Sequence, residues 1–129
     1  MEIVSDASAF LAVALNEIDR EWVIEKTSGY RIVSPEVLPY EIGNALIAMR
    51  RKRRLNDREI LSAFDISQRI TVRLVPVEIH ASIKIAIRFN IYAYDAYYLQ
   101  CCIKNGLPLI SLDGHMCDIA RSLGIKVVE

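Results

Sequence analysis

The chain has 129 residues, 53% hydrophobic and 25% charged, with 16 basic and 16 acidic side chains that cancel. That length fits one domain, residues 1–129, able to bury about two-thirds of its unfolded surface, and the apolar content excludes a disordered chain. Zero net charge excludes a polycation, so any affinity for nucleic acid has to come from a local patch.

The three cysteines are Cys101, Cys102 and Cys117. Two are adjacent, and successive helix positions diverge by about 100°, so they make poor partners for each other. No CxxC pair is present. They read as small buried hydrophobes in a reducing cytoplasm. The N-terminus carries no basic region of a signal peptide, and no apolar run approaches the ~18–20 residues that span a bilayer. The expectation is a soluble, cytoplasmic protein with no membrane partner.

In chain order, residues 2–5 read as a strand ending at Asp6. Ala7 to Leu15 has helical spacing at Phe10, Leu11, Ala14 and Leu15. Asp19 to Lys26 reads as a charged helix around Trp22 and Val23, stopped by Gly29, and Tyr30 to Val33 as a strand. Ser34-Pro35-Glu36 has the form of a helix start, and that helix is expected to run to about Arg54. Pro39 then lies inside it and predicts a kink or restart near Leu38. Ile42, Leu46 and Met49 form its apolar stripe, with Glu41 beside it.

Asn56-Asp57 restarts a helix through Arg69, with Ile60, Leu61 and Phe64 facing inward. Val72 to Val77 reads as a strand. Glu78 to Phe89 reads as a helix with Ile79, Ile83 and Ile87 at spacing four. A helix from Tyr94 ends at Gly106, and Leu107 to Leu112 is a strand ending at Asp113. Gly114 to Leu123 is a helix with Met116, Ile119, Ala120 and Leu123 inward, and Ile125 to Val128 is a last strand.

Short apolar strands alternating with helices are the pattern of a parallel sheet covered on both faces. Right-handed crossovers then bring every strand's C-terminal end to one edge, where open parallel sheets bind ligands. Asp6 and Asp113 leave their strands at that edge. Asp95 lies in the first turn of the helix that feeds the Leu107 strand, so it returns to the same edge beside Asp113. Glu41, about two turns into its helix, is expected there less tightly.

Asp6 has an ordinary explanation as a cap, Asp95 as a macrodipole complement and Asp113 as a turn residue, whereas Glu41, beside an apolar stripe, needs a partner. The ordinary explanations fit the set less well than any one acid, because carboxylates ~4 Å apart repel by ~4 kcal/mol at an effective dielectric near 20. They must bind protons or a cation. Oxygen donors without His or Cys favour Mg²⁺ or Mn²⁺ over zinc.

With those residues in view, the chain resembles PIN domains of the VapC type, the ribonuclease toxins of toxin–antitoxin pairs. The resemblance runs from Ile3 to Val128. It rests on Val4-Ser5-Asp6-Ala7-Ser8, on Pro35 through Glu41 to Leu46, and on Asp95-Ala96. Leu109-Ile110-Ser111-Leu112-Asp113 and the closing stretch Ala120 to Val128 complete it. It implies an α/β fold, a three-layer α/β/α sandwich with a central, mostly parallel sheet of four to five short strands. It implies Mg²⁺- or Mn²⁺-dependent cleavage of RNA, a cognate antitoxin and a homodimer. It carries metal-site roles onto Asp6, Glu41, Asp95 and Asp113, and supporting hydroxyls onto Ser8 and Ser111. The family more often has Thr where Ser111 stands, which keeps the hydroxyl. Asp118 is a possible further acid or a solvent-facing one.

The expected chemistry is phosphodiester hydrolysis, in which an ion activates water and offsets phosphate charge. Arg50-Arg51-Lys52-Arg53-Arg54 could hold RNA phosphates, receive an acidic antitoxin segment, or simply end a helix favourably. Tyr40, Tyr92, Tyr94, Tyr97 and Tyr98 flank the acids and could stack on bases, pack, or form a dimer face. His80 and His115 stand alone. Two other readings compete. A catalytically silent PIN-like domain would bind RNA or partners without cleaving. A phosphoacceptor receiver needs an acid pair after its first strand, which this chain lacks.

Overall fold

Strand β1 (Glu2–Ser5) ends at Asp6, whose side chain accepts from the Ala9 N–H and so starts helix α1 (Ala7–Ala14). The computed structural model describes all of residues 1–129. Helix α2 (Arg20–Thr27), strand β2 (Arg31–Pro35) and helices α3 (Leu38–Arg51) and α4 (Asp57–Gln68) follow. Strand β3 (Arg73–Val75), helices α5 (Ile79–Phe89) and α6 (Ala93–Asn105), strand β4 (Leu109–Ile110) and helix α7 (Gly114–Ser122) complete the chain.

The sheet has four parallel strands in the order β3-β2-β1-β4. Val4 sits opposite Val33 on one side and Leu109 on the other, and Val33 opposite Arg73. Successive strand residues point to opposite faces. Ile3 and Ile110 pack with Ala9, Ala12 and Val23 on one face. Val4, Val33 and Leu109 pack with Leu38, Ile42, Leu46 and Leu99 on the other. Full burial of each such aliphatic side chain stabilises by roughly 1.5–3 kcal/mol. The α/β fold with a parallel sheet flanked by helices is therefore the one the alternating pattern implies.

Several local expectations change. Ser34 and Pro35 belong to β2 rather than opening a helix, because the buried Ser34 hydroxyl donates to the Ser5 carbonyl at 2.6 Å across the sheet. Helix α3 begins at Leu38, the restart that Pro39 predicts, with the proline in its opening positions and no kink. On α4, Leu61 is exposed and Ala63 takes the inward place beside Ile60. On α5, Ser82 and Ile85 are buried, while Ile79, Ile83 and Ile87 form an exposed apolar stripe. The last strand is reduced to one bridge from Val127 to Leu109, because β4 has only two residues for it to pair with.

Candidate active site

The C-terminal edge of the sheet gathers the starts of four helices. Asp6 is the N-cap of α1 and Asp113 the N-cap of α7. Glu41 and Asp95 lie in the first turns of α3 and α6. Glu41 therefore stands at the helix mouth, not two turns in, because α3 starts later than the Ser34-Pro35-Glu36 signal suggests. Four helix N-termini aim their partial positive charge at this rim, which favours anionic groups there.

Asp6 is the anchor. It is 4% exposed and accepts three hydrogen bonds. Oδ1 receives the Ser8 hydroxyl at 2.7 Å and the Ala9 N–H at 3.2 Å, and Oδ2 receives the Ser111 hydroxyl at 2.5 Å. A carboxylate offers about four lone-pair positions, so roughly one remains free. The two hydroxyls also accept. Ser8 takes the Leu112 N–H at 2.9 Å and Ser111 takes the Asp113 N–H at 3.0 Å. Each serine thus bolts the β4 exit loop to the start of α1, and with it Asp113 to Asp6. Asp113 Oδ1 accepts the Met116 N–H at 3.2 Å.

The four acids feel one another. Burial pushes the Asp6 carboxyl above its ordinary range, against its three hydrogen bonds, and the Asp113 charge adds to the rise. Asp95 is raised by burial and then by Asp113, and the nearby His115 acts the other way. Glu41 is pushed up to about 7 by burial, with the Asp95 and Asp6 charges adding and the Tyr98 hydroxyl opposing. None of the four has a Lys, Arg or His ion-pair partner. Glu41 Oε1 and the Tyr98 hydroxyl are buried and lack any partner at hydrogen-bonding geometry. They influence each other without closing a bond. No three acidic, His or Cys side chains stand close enough to form a ready-made metal cage.

The other candidates divide. Asp118 is exposed and pairs with Arg121 at 3.2 Å, outside this group. Arg50 pairs with Asp57, whereas Arg51, Lys52, Arg53 and Arg54 make no ion pair. Arg51 lies ten residues past Glu41 along α3, ~15 Å away at 1.5 Å per residue. Tyr40, Tyr92 and Tyr94 are exposed, and Tyr94 meets Tyr97 edge-on at 5.7 Å between centroids. Tyr98 is 1% exposed and belongs to the core beside Glu41. His80 is exposed on α5. The apolar cavity lined by Phe10, Val13, Val23, Ile24 and Ile70 contains no acid. The three cysteines are buried free thiols.

Two residues take places other than those expected from the sequence, where Tyr98 is one of five tyrosines flanking the acids and Ser34 opens a helix. Tyr98 follows Asp95 by three positions, hence on the same side of α6, and that spacing was the available signal. Ser34 gave no signal, since its partner is a backbone carbonyl on another strand.

A family profile described as the PIN domain matches residues 3–122. Comparison with curated proteins finds no match. Among solved structures, the chain is similar to PAE2754 from Pyrobaculum aerophilum, with 24% identity and a TM-score of 0.67. That likeness covers 99% of this chain and 90% of the other. At that identity it speaks for the fold alone.

Proposed function

The chain belongs to the PIN domain family, whose members are generally nucleases, and on that premise we propose that it is a metal-dependent endoribonuclease. It hydrolyses RNA phosphodiester bonds as the toxin of a VapBC-type toxin–antitoxin pair. The observation that carries this reading is the rim of four mutually repelling carboxylates without a cationic partner. One of their oxygens, Glu41 Oε1, is buried and unsatisfied. Such a group is stable only protonated or with a cation.

The donor set is all oxygen, which suits a hard divalent ion. Asp6, Glu41, Asp95 and Asp113 would hold Mg²⁺ or Mn²⁺, which would acidify a water and offset charge on the phosphate. The protein's own part is positioning. Ser8 and Ser111 keep Asp6 and Asp113 from drifting apart, and the helix N-termini favour an anionic phosphate. The unpaired Arg51, Lys52, Arg53 and Arg54 lie too far to touch a scissile bond. They suit flanking RNA phosphates or an acidic antitoxin segment. The exposed Ile79, Ile83 and Ile87 stripe supports a homodimer face.

A catalytically silent PIN-like binding domain is favoured by one observation, the absence of a ready-made cage of three ligands. Incubating a structured RNA with Mg²⁺ or Mn²⁺ separates the two. The wild type should cleave, EDTA should stop it, and Asp95→Asn should be nearly inert. Equal cleavage by both proteins, or cleavage in EDTA, would remove the proposed site. No cleavage of any RNA, with RNA binding intact, would favour the silent domain.

A further inference from the structure

We infer that Tyr98 is a positioning residue for Glu41, its hydroxyl poised to donate to the Glu41 carboxylate and so to fix how that carboxylate addresses the rim when a cation is held there. The inference rests on the metal-dependent reading above, and it concerns a residue for which the sequence suggested only base stacking, packing or a dimer face.

The Tyr98 hydroxyl and Glu41 Oε1 are the two buried side-chain polar atoms in the molecule without a hydrogen-bond partner. They come from different helices, α6 and α3, yet the Tyr98 hydroxyl is near enough to the Glu41 carboxylate to oppose the rise that burial causes there. Everywhere else the buried side-chain polar atoms are satisfied, as native proteins require. Two orphans meeting by chance, at the one rim rich in unpaired acids, is a poor explanation. A phenol can donate and a carboxylate can only accept, so the pair is chemically matched.

Packing alone does not require the hydroxyl. The Tyr98 ring belongs to the apolar core with Leu99, Ala96 and Cys102, and a phenylalanine ring would fill that space. Keeping an oxygen there has a cost unless it meets a partner. Tyr98 also stands three residues after Asp95 on α6. One helix thus presents both a carboxylate of the rim and the group that holds another carboxylate of the rim. Outer partners of this kind set the orientation of metal-binding carboxylates and weigh heavily on metal affinity.

The test is a double-mutant cycle on wild type, Tyr98→Phe, Glu41→Gln and the double variant. Two quantities are read on the same four proteins at pH 8. One is Mn²⁺ affinity from the free-ion paramagnetic signal, and the other is the melting midpoint without metal. Tyr98→Phe should weaken Mn²⁺ binding about tenfold in the wild-type background and leave it unchanged when Glu41→Gln is already present. Its melting effect should likewise depend on Glu41. Additive effects of the two substitutions on both quantities would overturn the inference. Failure of the wild type to bind Mn²⁺ would instead remove the metal reading. The melting cycle would then decide alone, coupling supporting the Tyr98–Glu41 pairing and additivity overturning it.

Discussion

Replacing Glu41 by glutamine should make the metal-free protein more stable at pH 8. Burial, and then the Asp95 and Asp6 charges, push the Glu41 carboxyl from 4.5 to about 7. The folded state therefore binds its proton more tightly than the unfolded chain. Between those two values the unfolded state carries fewer protons, so stability falls as pH rises. The contribution is fully present below about pH 4.5 and is gone above about pH 7. Taken at face value the shift corresponds to roughly 3 kcal/mol at 1.36 kcal/mol per unit. Solvent reaches part of the side chain, and screening reduces this to about 1–2 kcal/mol. For a domain of this size that is a gain of ~3–8 °C in midpoint. Thermal melts in EDTA at pH 4.5 and pH 8 measure it. The variant should match the wild type at the lower pH and exceed it at the higher. Saturating Mn²⁺ should reverse the order at pH 8, because the glutamine no longer contributes charge to the cation. A variant that melts at or below wild type at pH 8 without metal would refute the reasoning.

Asp95→Asn should keep the fold, since Asp95 accepts no hydrogen bond and forms no ion pair, while cutting RNA cleavage by about 100-fold or more. Circular dichroism and initial rates check the two halves. Ser111→Ala removes the donor to Asp6 Oδ2 and the acceptor of the Asp113 N–H, so it should destabilise by ~1–3 kcal/mol in denaturant melts. Arg51→Ala combined with Arg53→Ala should weaken RNA binding and flatten its salt dependence by roughly one to two units of slope. If antitoxin binding alone suffers, the run belongs to the protein partner.

The placement of Asp6, Asp95 and Asp113 was legible because each sits where an element begins or ends, and alternating strands and helices fix which ends share an edge. Glu41 was harder. Ser34-Pro35-Glu36 carries a strong local helix-start signal, yet Ser34 pairs across the sheet and the helix waits for Leu38. Tertiary pairing outweighed the local signal, and the result is a Glu41 closer to the rim than its apparent helix position allowed. The stripe of Ile79, Ile83 and Ile87 has helical spacing, but spacing alone does not say which face is covered. Small buried residues, Ser82 on α5 and Ala63 on α4, mark the true inner faces, and they carry little hydropathy signal. Tyr98 was hidden among five tyrosines flanking the acids, because exposure, which separates it from Tyr40, Tyr92 and Tyr94, is not a property of sequence.

The four carboxylates, from distant segments, are proposed to hold a hard cation between them. Equilibrium Mn²⁺ binding at pH 8, followed by loss of the free-ion signal, tests this most directly. The wild type should bind saturably, the affinity should fall as pH drops through about 7 and Glu41 takes up its proton, and Asp6→Asn and Asp95→Asn should each abolish it. Binding that is absent in the wild type, or that survives both substitutions unchanged, would contradict the account.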